Sequence, residues 1–381
     1  MIVEVISVGT ELLIGQIVNS NSAFIATRVA EAGIDAHFQV VVGDNLDRLS
    51  DAIRTAVNRS DAVILTGGIG PTQDDLTREA LCRVTGRAMG RDQAHAAWIE
   101  DRLRSQGREV RENVLRMADL PAGAEGMANS NGVALGVALE HEGKWLFAVP
   151  GVPVEMMAML DGEVLPRLRR RSGGGVLRSR LLRTWGLGES DVAERLDDLF
   201  ASANPSVAFL IKDMEVQVRI SAKAADPEDA ASLIAPVEVE ARDRLGDAVF
   251  GADDETVESL ILDGLNARGW TVGTVEAATL GQVGARIAIA DGSRGVFVGT
   301  MIVGTQGGEP APPIADVVLS VGAVLDDRTG TTRPIEMTVA TPEQATARVF
   351  EFGGDDERLR SFATIAGLHM IRIAVRPPGR S

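Results

Sequence analysis

Two adjacent carboxylates, Asp74 and Asp75, follow three glycines and a proline in "ILTGGIGPTQDDLT", residues 64–77. Glycines let backbone N–H groups come close to a ligand, and the helix start that follows favours anions. Carboxylates beside an anion site repel the anion unless a divalent cation stands between them. The chemistry this spacing suggests is metal-assisted handling of a phosphate. Two other stretches could join it: "VGTELLIGQIVNSN" (8–21), carrying Glu11, Gly15 and Asn21, and "VVGDN" (41–45), carrying Asp44. Together they offer backbone donors, Asn21 and Thr72 to a nucleotide, and Asp44, Asp74 and Asp75 to a metal. Singly each is a weak signal, because many turns contain GG-x-G and acidic pairs commonly open helices. Their order along the chain gives them weight.

That order depends on the elements that carry them. "IVEVISVG" (2–9) reads as a strand, and "NSNSAFIATRVAEAG" as a helix capped near Asn19 or Ser20 and stopped by Gly33. "AHFQVVV" (36–42) is a second strand. In "NLDRLSDAIRTAVNRS", Leu46, Leu49, Ile53 and Val57 share one helical face. "DAVILT" (61–66) is nearly all apolar, as a buried central strand should be. "KWLFAVPGVPVEMMAML" repeats the logic, with a strand, a turn containing Gly151, and a Met-rich helix. Alternation of this kind predicts a mostly parallel α/β sheet over the first 165 or so residues, with the glycine turn at the carboxyl end of a strand, where such sheets bind ligands.

Composition bounds the rest. The chain has 381 residues, 45% hydrophobic and 24% charged, enough for two or three packed domains. A formal charge of −16 argues against a nucleic-acid partner, which needs a cationic footprint. The single cysteine, Cys82, permits no internal disulfide and reads as a small core residue. His37, His95, His141 and His369 match no zinc spacing. "MIVEVISVG" lacks a basic leader, and no apolar run reaches about 18 residues, so the expected compartment is the cytoplasm, with no membrane contact. "LPRLRRRSGGG" (165–175) reads as a helix end complementing its dipole, followed by a glycine linker. Beyond it, about 178–250 reads strand, helix, strand, helix: "SRLLRTWGLG", "ESDVAERLDDLF", "VAFLIKDMEVQVRISAKA" and "EDAASLIAPVEVEARDRLG". Within the third, "DMEVQVRISA" alternates like a half-exposed antiparallel strand. Residues 251–381 read as a helix (255–268), strands near 270–277, 295–304, 314–320 and 335–340, and a closing helix "DDERLRSFATIAGLHMIRIAV".

"GTELLIGQIVNSN", "VVGDN", "TGGIGPTQDDLT" and "VPGVPVEM", in this order, resemble the CinA (competence/damage-inducible protein A) family, over nearly the full chain. The resemblance implies a first domain (1–170) on the three-layer, mostly parallel fold shared by MoaB, Mog and gephyrin. "WGLGESDVAERLDDL" is similar to that family's KH-type module, an α+β unit over 176–250, and 251–381 then becomes a CinA-type α/β domain. The family's first domain is associated with metal-dependent hydrolysis of the pyrophosphate bond of ADP-ribose. Aspartates matching Asp44 and Asp75 belong to the active site of the molybdopterin-binding relatives. The expected catalytic set is therefore Asp75, Asp44 and Glu11, with Glu11 a second metal ligand, the base, or a solvated turn residue. Asp74 and Asp75 are the expected ligands of Mg²⁺, Mn²⁺ or Co²⁺, and a monovalent cation is a further candidate. Gly9, Thr10, Asn21, Gly67, Gly68, Gly70, Pro71, Thr72 and Gly151 are the expected nucleotide and phosphate contacts.

The last third departs from the family. Its members deamidate nicotinamide mononucleotide with a serine, a tyrosine and a lysine, after a signature resembling A-E-S-C-T-G-G. Here the corresponding stretch is "VEAATLG", in which Glu276, Thr279 and Gly281 fit and Ala277, Ala278 and Leu280 do not. Anchored on Phe297, the serine falls on Arg294 (Ser293 with a slip of one), the tyrosine on Gly304 and the lysine on Glu309. The chain has no tyrosine, and its lysines, Lys144, Lys212 and Lys223, all precede residue 251. The family's later nucleotide loop is replaced by "VGAVLDDRTGTTRP". The expectation is a hydrolase of ADP-ribose or a similar dinucleotide, without deamidase activity, as a homodimer. Two alternatives stand beside it: molybdopterin binding or adenylyl transfer, against which Asp74 counts, and a non-catalytic nucleotide-sensing scaffold whose third domain dimerises.

Overall fold

A computed structural model describes residues 1–212, 214–304, 313–324 and 332–376. The chain divides into two compact units, Met1–Arg178 with Ala222–Leu233, and Ser179–Ser221 with Ile234–Ser381.

The first unit begins β1 (Ile2–Val8), α1 (Thr10–Leu13), α2 (Ser20–Glu31), β2 (Asp35–Val42), α3 (Leu46–Arg59), β3 (Ala62–Thr66) and α4 (Thr77–Thr85). It continues through β4 (Met89–Arg91), α5 (Gln93–Ser105), α6 (Glu112–Leu115), β5 (Asp119–Pro121), β6 (Glu125–Met127), β7 (Gly136–His141), β8 (Lys144–Val149), α7 (Pro153–Met159) and α8 (Leu165–Ser172). The sheet order is β2-β1-β3-β8-β7-β6. The first four strands run parallel, β7 pairs antiparallel with β8, and β6 pairs antiparallel with β7. All five residues of β3 are buried, as an interior strand requires. Alternate side chains feed two cores. Ile6, Val63 and Leu65 pack with Leu49, Ile53 and Leu81 from α3 and α4 on one face. Val3, Val5 and Ile64 pack with Ile25, Met156 and Leu168 from α2, α7 and α8 on the other. This is the three-layer arrangement expected from the sequence. Asn19 caps α2 through Ser22 N, and Asn45 caps α3 through Arg48 N. The second cap fixes Asp44 at the mouth of β2. Cys82, expected in the core, is only half-buried, with its Sγ 3.8 Å from Met89 Sδ.

Residues 176–252 contain β9 (Val176–Thr184), α9 (Glu189–Arg195), β10 (Ser206–Lys212), β11 (Glu215–Ala224), α10 (Pro227–Leu245) and β12 (Val249–Ala252), with sheet order β10-β11-β9-β12. The stretch read as one strand, "VAFLIKDMEVQVRISAKA", is instead the antiparallel hairpin β10–β11. Its second half alternates as expected from Val218 to Lys223, but Glu215, Val216, Gln217 and Val218 are all buried. Glu215 mimics a solvent position in sequence but is paired with Arg183 at 3.0 Å. The remainder holds α11 (Val257–Arg268), β13 (Val272–Glu276), α12 (Gln282–Asp291), β14 (Phe297–Ile302), β15 (Val317–Val324), β16 (Thr332–Ala340), β17 (Ala345–Gly353) and α13 (Asp356–Val375), with sheet order β14-β13-β15-β16-β17. Neither α12 nor β17 was read from the sequence. β17 is an edge strand with most positions exposed, so no apolar period marks it. α12 is started from a distance by the buried Glu276 carboxylate, which accepts from Val283 N (3.1 Å) and Gly284 N (2.8 Å). Among the described residues no helix is long and apolar enough to cross a membrane.

Candidate functional site

Loops leaving the carboxyl ends of β1, β2, β3 and β8 enclose a cleft of about 550 Å³. Parallel pairing places all four ends on one rim. Gly9, Glu11, Asp44, Gly67, Gly68, Gly70, Pro71, Thr72, Asp74, Asp75 and Gly151 all line it. Thr10 and Asn21 do not, although both touch residues that do. Thr10 donates from N (2.9 Å) and Oγ1 (2.7 Å) to Asp44 Oδ2. Asn21 donates from Nδ2 to Thr66 Oγ1 (3.1 Å) and Gly151 O (2.8 Å), in a smaller adjoining pocket. Its Oδ1 is buried without a hydrogen-bond partner among the described residues. Both therefore act behind the wall.

The glycine turn has a backbone reason. Gly67 (φ 99°) and Gly68 (φ 67°) occupy the left-handed half of φ space. A Cβ on Gly67 would lie 2.4 Å from Val8 O, and one on Gly68 the same distance from Thr77 Oγ1. Thr77 locks the turn onto α4, donating from Oγ1 to Gly67 O (2.8 Å) and from N to Gly68 O (3.0 Å). The N–H groups of Gly68, Ile69 and Gly70 find no acceptor among the described residues, and all three residues line the cleft. Successive unpaired N–H groups in a turn form a cradle for an anion, here in the loop that precedes α4 and not at its first turn.

The carboxylates differ in how they are held. Asp75 Oδ2 accepts from Thr72 N (2.8 Å) and Thr72 Oγ1 (2.5 Å), which orients the group and leaves Oδ1 open. Asp44 Oδ2 is clasped in the same way by Thr10. The neighbouring Thr72 side chain first, and then its own backbone amide, hold the exposed Asp74 carboxyl below the usual carboxylate range. The Glu11 carboxylate has no hydrogen-bond or ion-pair partner among the described residues and lies against Gly9, where a Cβ would come within 2.5 Å of Oε1. Among the described residues no three His, Cys, Asp or Glu side chains are grouped as a metal cage. The donor set does fit an ion such as Mg²⁺, which is usually bound by one or two carboxylates together with substrate phosphates.

Several residues that shape the cleft escaped the sequence reading. Arg78 is buried, and its guanidinium reaches Ile69 O (2.7 Å), Leu135 O (3.0 Å) and Met117 O (3.2 Å). It ties together three cleft-lining segments. Burial pushes it down to about 10, so it remains cationic at neutral pH. Arg116 donates to Thr72 O (3.0 Å) and to Glu79 Oε1 (2.6 Å). On the opposite wall, Asn129 donates to Glu155 Oε2 at 2.7 Å, and Gly132 leaves room for that carboxylate. The "NSNG" turn at 129–132 was the available signal there; nothing local marks Arg78 as buried.

In the last domain, Arg294 is half-exposed and faces Asp263 at 3.8 Å. Gly304 follows β14 with no atom within 4 Å of its Cβ direction. Glu309 lies outside the described residues. Glu276 and Thr279 are fully buried and bonded to each other (2.6 Å), serving the α12 terminus.

Residues 4–170 match a family model described as "Probable molybdopterin binding domain". Residues 179–251 match "Damage-inducible protein CinA KH domain". A "CinA-like protein" of Frankia casuarinae is 35% identical over 97% of this chain and 95% of its own length. A "Putative competence-damage inducible protein" of Moorella thermoacetica is 44% identical over 78% of this chain and 72% of its own. A crystal structure from Thermoplasma acidophilum, described as the protein CinA with unknown function, is 34% identical, covers 44% of this chain and 97% of that one, and superposes with a TM-score of 0.41.

Proposed function

The chain belongs to the CinA family, and from that premise we propose that its first domain is a metal-dependent nucleotide pyrophosphatase acting on ADP-ribose or a similar dinucleotide. One observation carries the reading: three open backbone N–H groups, at Gly68, Ile69 and Gly70, share a cleft with two clasped aspartates and an unclasped glutamate. The N–H groups match the charge that develops on the phosphoryl oxygens during P–O cleavage. Asp75 and Asp74 would hold a divalent ion, which when bound neutralises phosphate charge and polarises the phosphoryl group. Glu11, free of competing bonds, takes the proton of the attacking water as that oxygen bonds to phosphorus and the bridging P–O bond breaks. The products are two phosphate monoesters. Thr10 and Thr72 keep Asp44 and Asp75 from swinging away, and Arg78 holds the walls in register.

The test is purified full-length protein against ADP-ribose, diadenosine polyphosphates and sugar nucleotides, with Mg²⁺, Mn²⁺ or Co²⁺. Metal-dependent release of AMP and ribose 5-phosphate from ADP-ribose is the expected result, and failure to hydrolyse any phosphoanhydride would sink the reading. The family model of the first domain favours a second reading, in which the cleft takes a pterin phosphate. Molybdopterin binding without pyrophosphatase turnover would select it. For the last domain we propose no deamidation of nicotinamide mononucleotide, supported by a chain without tyrosine and a domain without lysine.

A further inference from the structure

The second unit holds another cleft, of about 500 Å³, formed by the end of α10, β12, α11 and the C-terminal end of α13. Gly264 lets the helices approach: a Cβ there would lie 2.6 Å from Val375 O. The close packing brings Arg372 and Arg376, one helical turn apart, to the cleft wall. Arg372 donates from Nε to His369 Nδ1 (3.1 Å), and its guanidinium lies 5.2 Å from the Phe250 ring centre. No carboxylate lies within ion-pair distance of it among the described residues. Burial first, and then the charge of Arg376, push it down to about 10, leaving it cationic at neutral pH. The carboxylate facing Arg376 is Asp247, at 3.9 Å with its side chain 91% exposed, a pair that solvent screens. Of the other acids on the wall, Glu255 Oε2 accepts from Ala252 N (2.9 Å), and Asp263 makes a similarly exposed pair with Arg294 at 3.8 Å.

Two like charges one turn apart on a helix repel each other, and burial adds to the cost. Val249, Leu260 and Ala267 give the wall an apolar patch, and Arg242, paired with Glu238 at 2.9 Å, adds a third guanidinium to the lining. We propose that this cleft binds a phosphate monoester of nucleoside size, its phosphate on Arg372 and Arg376 and its apolar body against Val249, Leu260 and Ala267. A dianion satisfies both guanidinium forks, whereas a monocarboxylate leaves one without a counter-charge. The volume suits a ligand of that size. The site is separate from the first-domain cleft and does not depend on what that cleft does.

Calorimetric titration of full-length protein in EDTA tests it, with AMP, inorganic phosphate, adenosine and benzoate as probes. AMP should bind, phosphate more weakly, and adenosine and benzoate much more weakly still. Arg372→Gln and Arg376→Gln should each weaken AMP by about tenfold or more, the usual cost of a lost charge-assisted hydrogen bond. Both variants should keep wild-type first-domain turnover, and Asp75→Asn should keep the AMP affinity. If Arg372→Gln loses its fold because of its contacts with His369 and Phe250, Arg376→Gln carries the test alone. AMP binding equally to both arginine variants, benzoate binding as tightly as AMP, or no AMP binding at all would overturn the proposal.

Discussion

Alanine at Gly70 separates the geometry of the first cleft from its stability. Gly70 lies outside the left-handed region, so alanine adds no backbone strain there. Its Cβ would come 2.6 Å from Asp75 Oδ2 and 3.1 Å from both Cγ and Oδ1. To regain an ordinary 3.4 Å contact the carboxylate must retreat by about 0.8 Å. Asp75 is a short side chain pinned by both Thr72 donors, so it cannot retreat without breaking them. Misplacing a reacting group by about 1 Å costs roughly 10²-fold in rate. The broken clasp faces solvent and is worth about 1 kcal/mol, roughly 3 °C in Tm. Gly70→Ala should therefore lose about 100-fold in kcat/KM for ADP-ribose with Mn²⁺, while calorimetry of the same sample shows a shift of only a few degrees. Gly67→Ala makes the contrast, since a strained φ and a 2.4 Å approach to Val8 O should cost stability first. Wild-type turnover by Gly70→Ala would refute the role given to Asp75, and unfolding would refute the claim that Gly70 is unstrained.

Arg78→Ala should lower the stability of the first unit by roughly 3 kcal/mol, because three buried carbonyls lose their donor; urea unfolding reads it, and a loss under about 1 kcal/mol would contradict the bracing role. His369 is buried, stacked on Trp185 at 4.4 Å, and pushed down to about 4 by burial, with Glu215 pulling the other way. Above pH 6.5 both states are neutral; between 6.5 and 4 the unfolded chain takes a proton that the native one refuses. The second unit should therefore lose about 3 kcal/mol on acidification through that window. His369→Phe should flatten this part of the unfolding profile, and an unchanged profile would refute the assignment. Nicotinamide mononucleotide should release no ammonia with the full-length protein, and release abolished by Ser293→Ala would show the alignment of the lost triad to be misplaced.

Much of the first cleft was legible because its parts are local. Glycine turns and acids at strand ends leave their mark within a few residues, and parallel pairing then brings the ends together. What escaped is what distance creates. Arg78 looks like any helical arginine until three carbonyls from separate segments surround it. Thr10 reads as a ligand contact, yet its hydroxyl and amide are spent on Asp44, 34 residues away. The β10–β11 hairpin was hidden because both strands are apolar enough to read as one. Glu276 matched a family signature but starts a helix whose N-terminus carries no cap of its own.

The central claim rests most directly on Asp75. Full-length protein and Asp75→Asn, matched for circular dichroism and melting temperature, should be compared for AMP and ribose 5-phosphate formation from ADP-ribose with saturating Mn²⁺. The carboxylate's charge, not its shape, is required, so the asparagine variant should fold normally and lose on the order of 10³-fold in kcat, the scale of one electrostatic group in a phosphoryl or acyl site. Turnover within a few-fold of wild type by the folded Asp75→Asn protein would contradict the account.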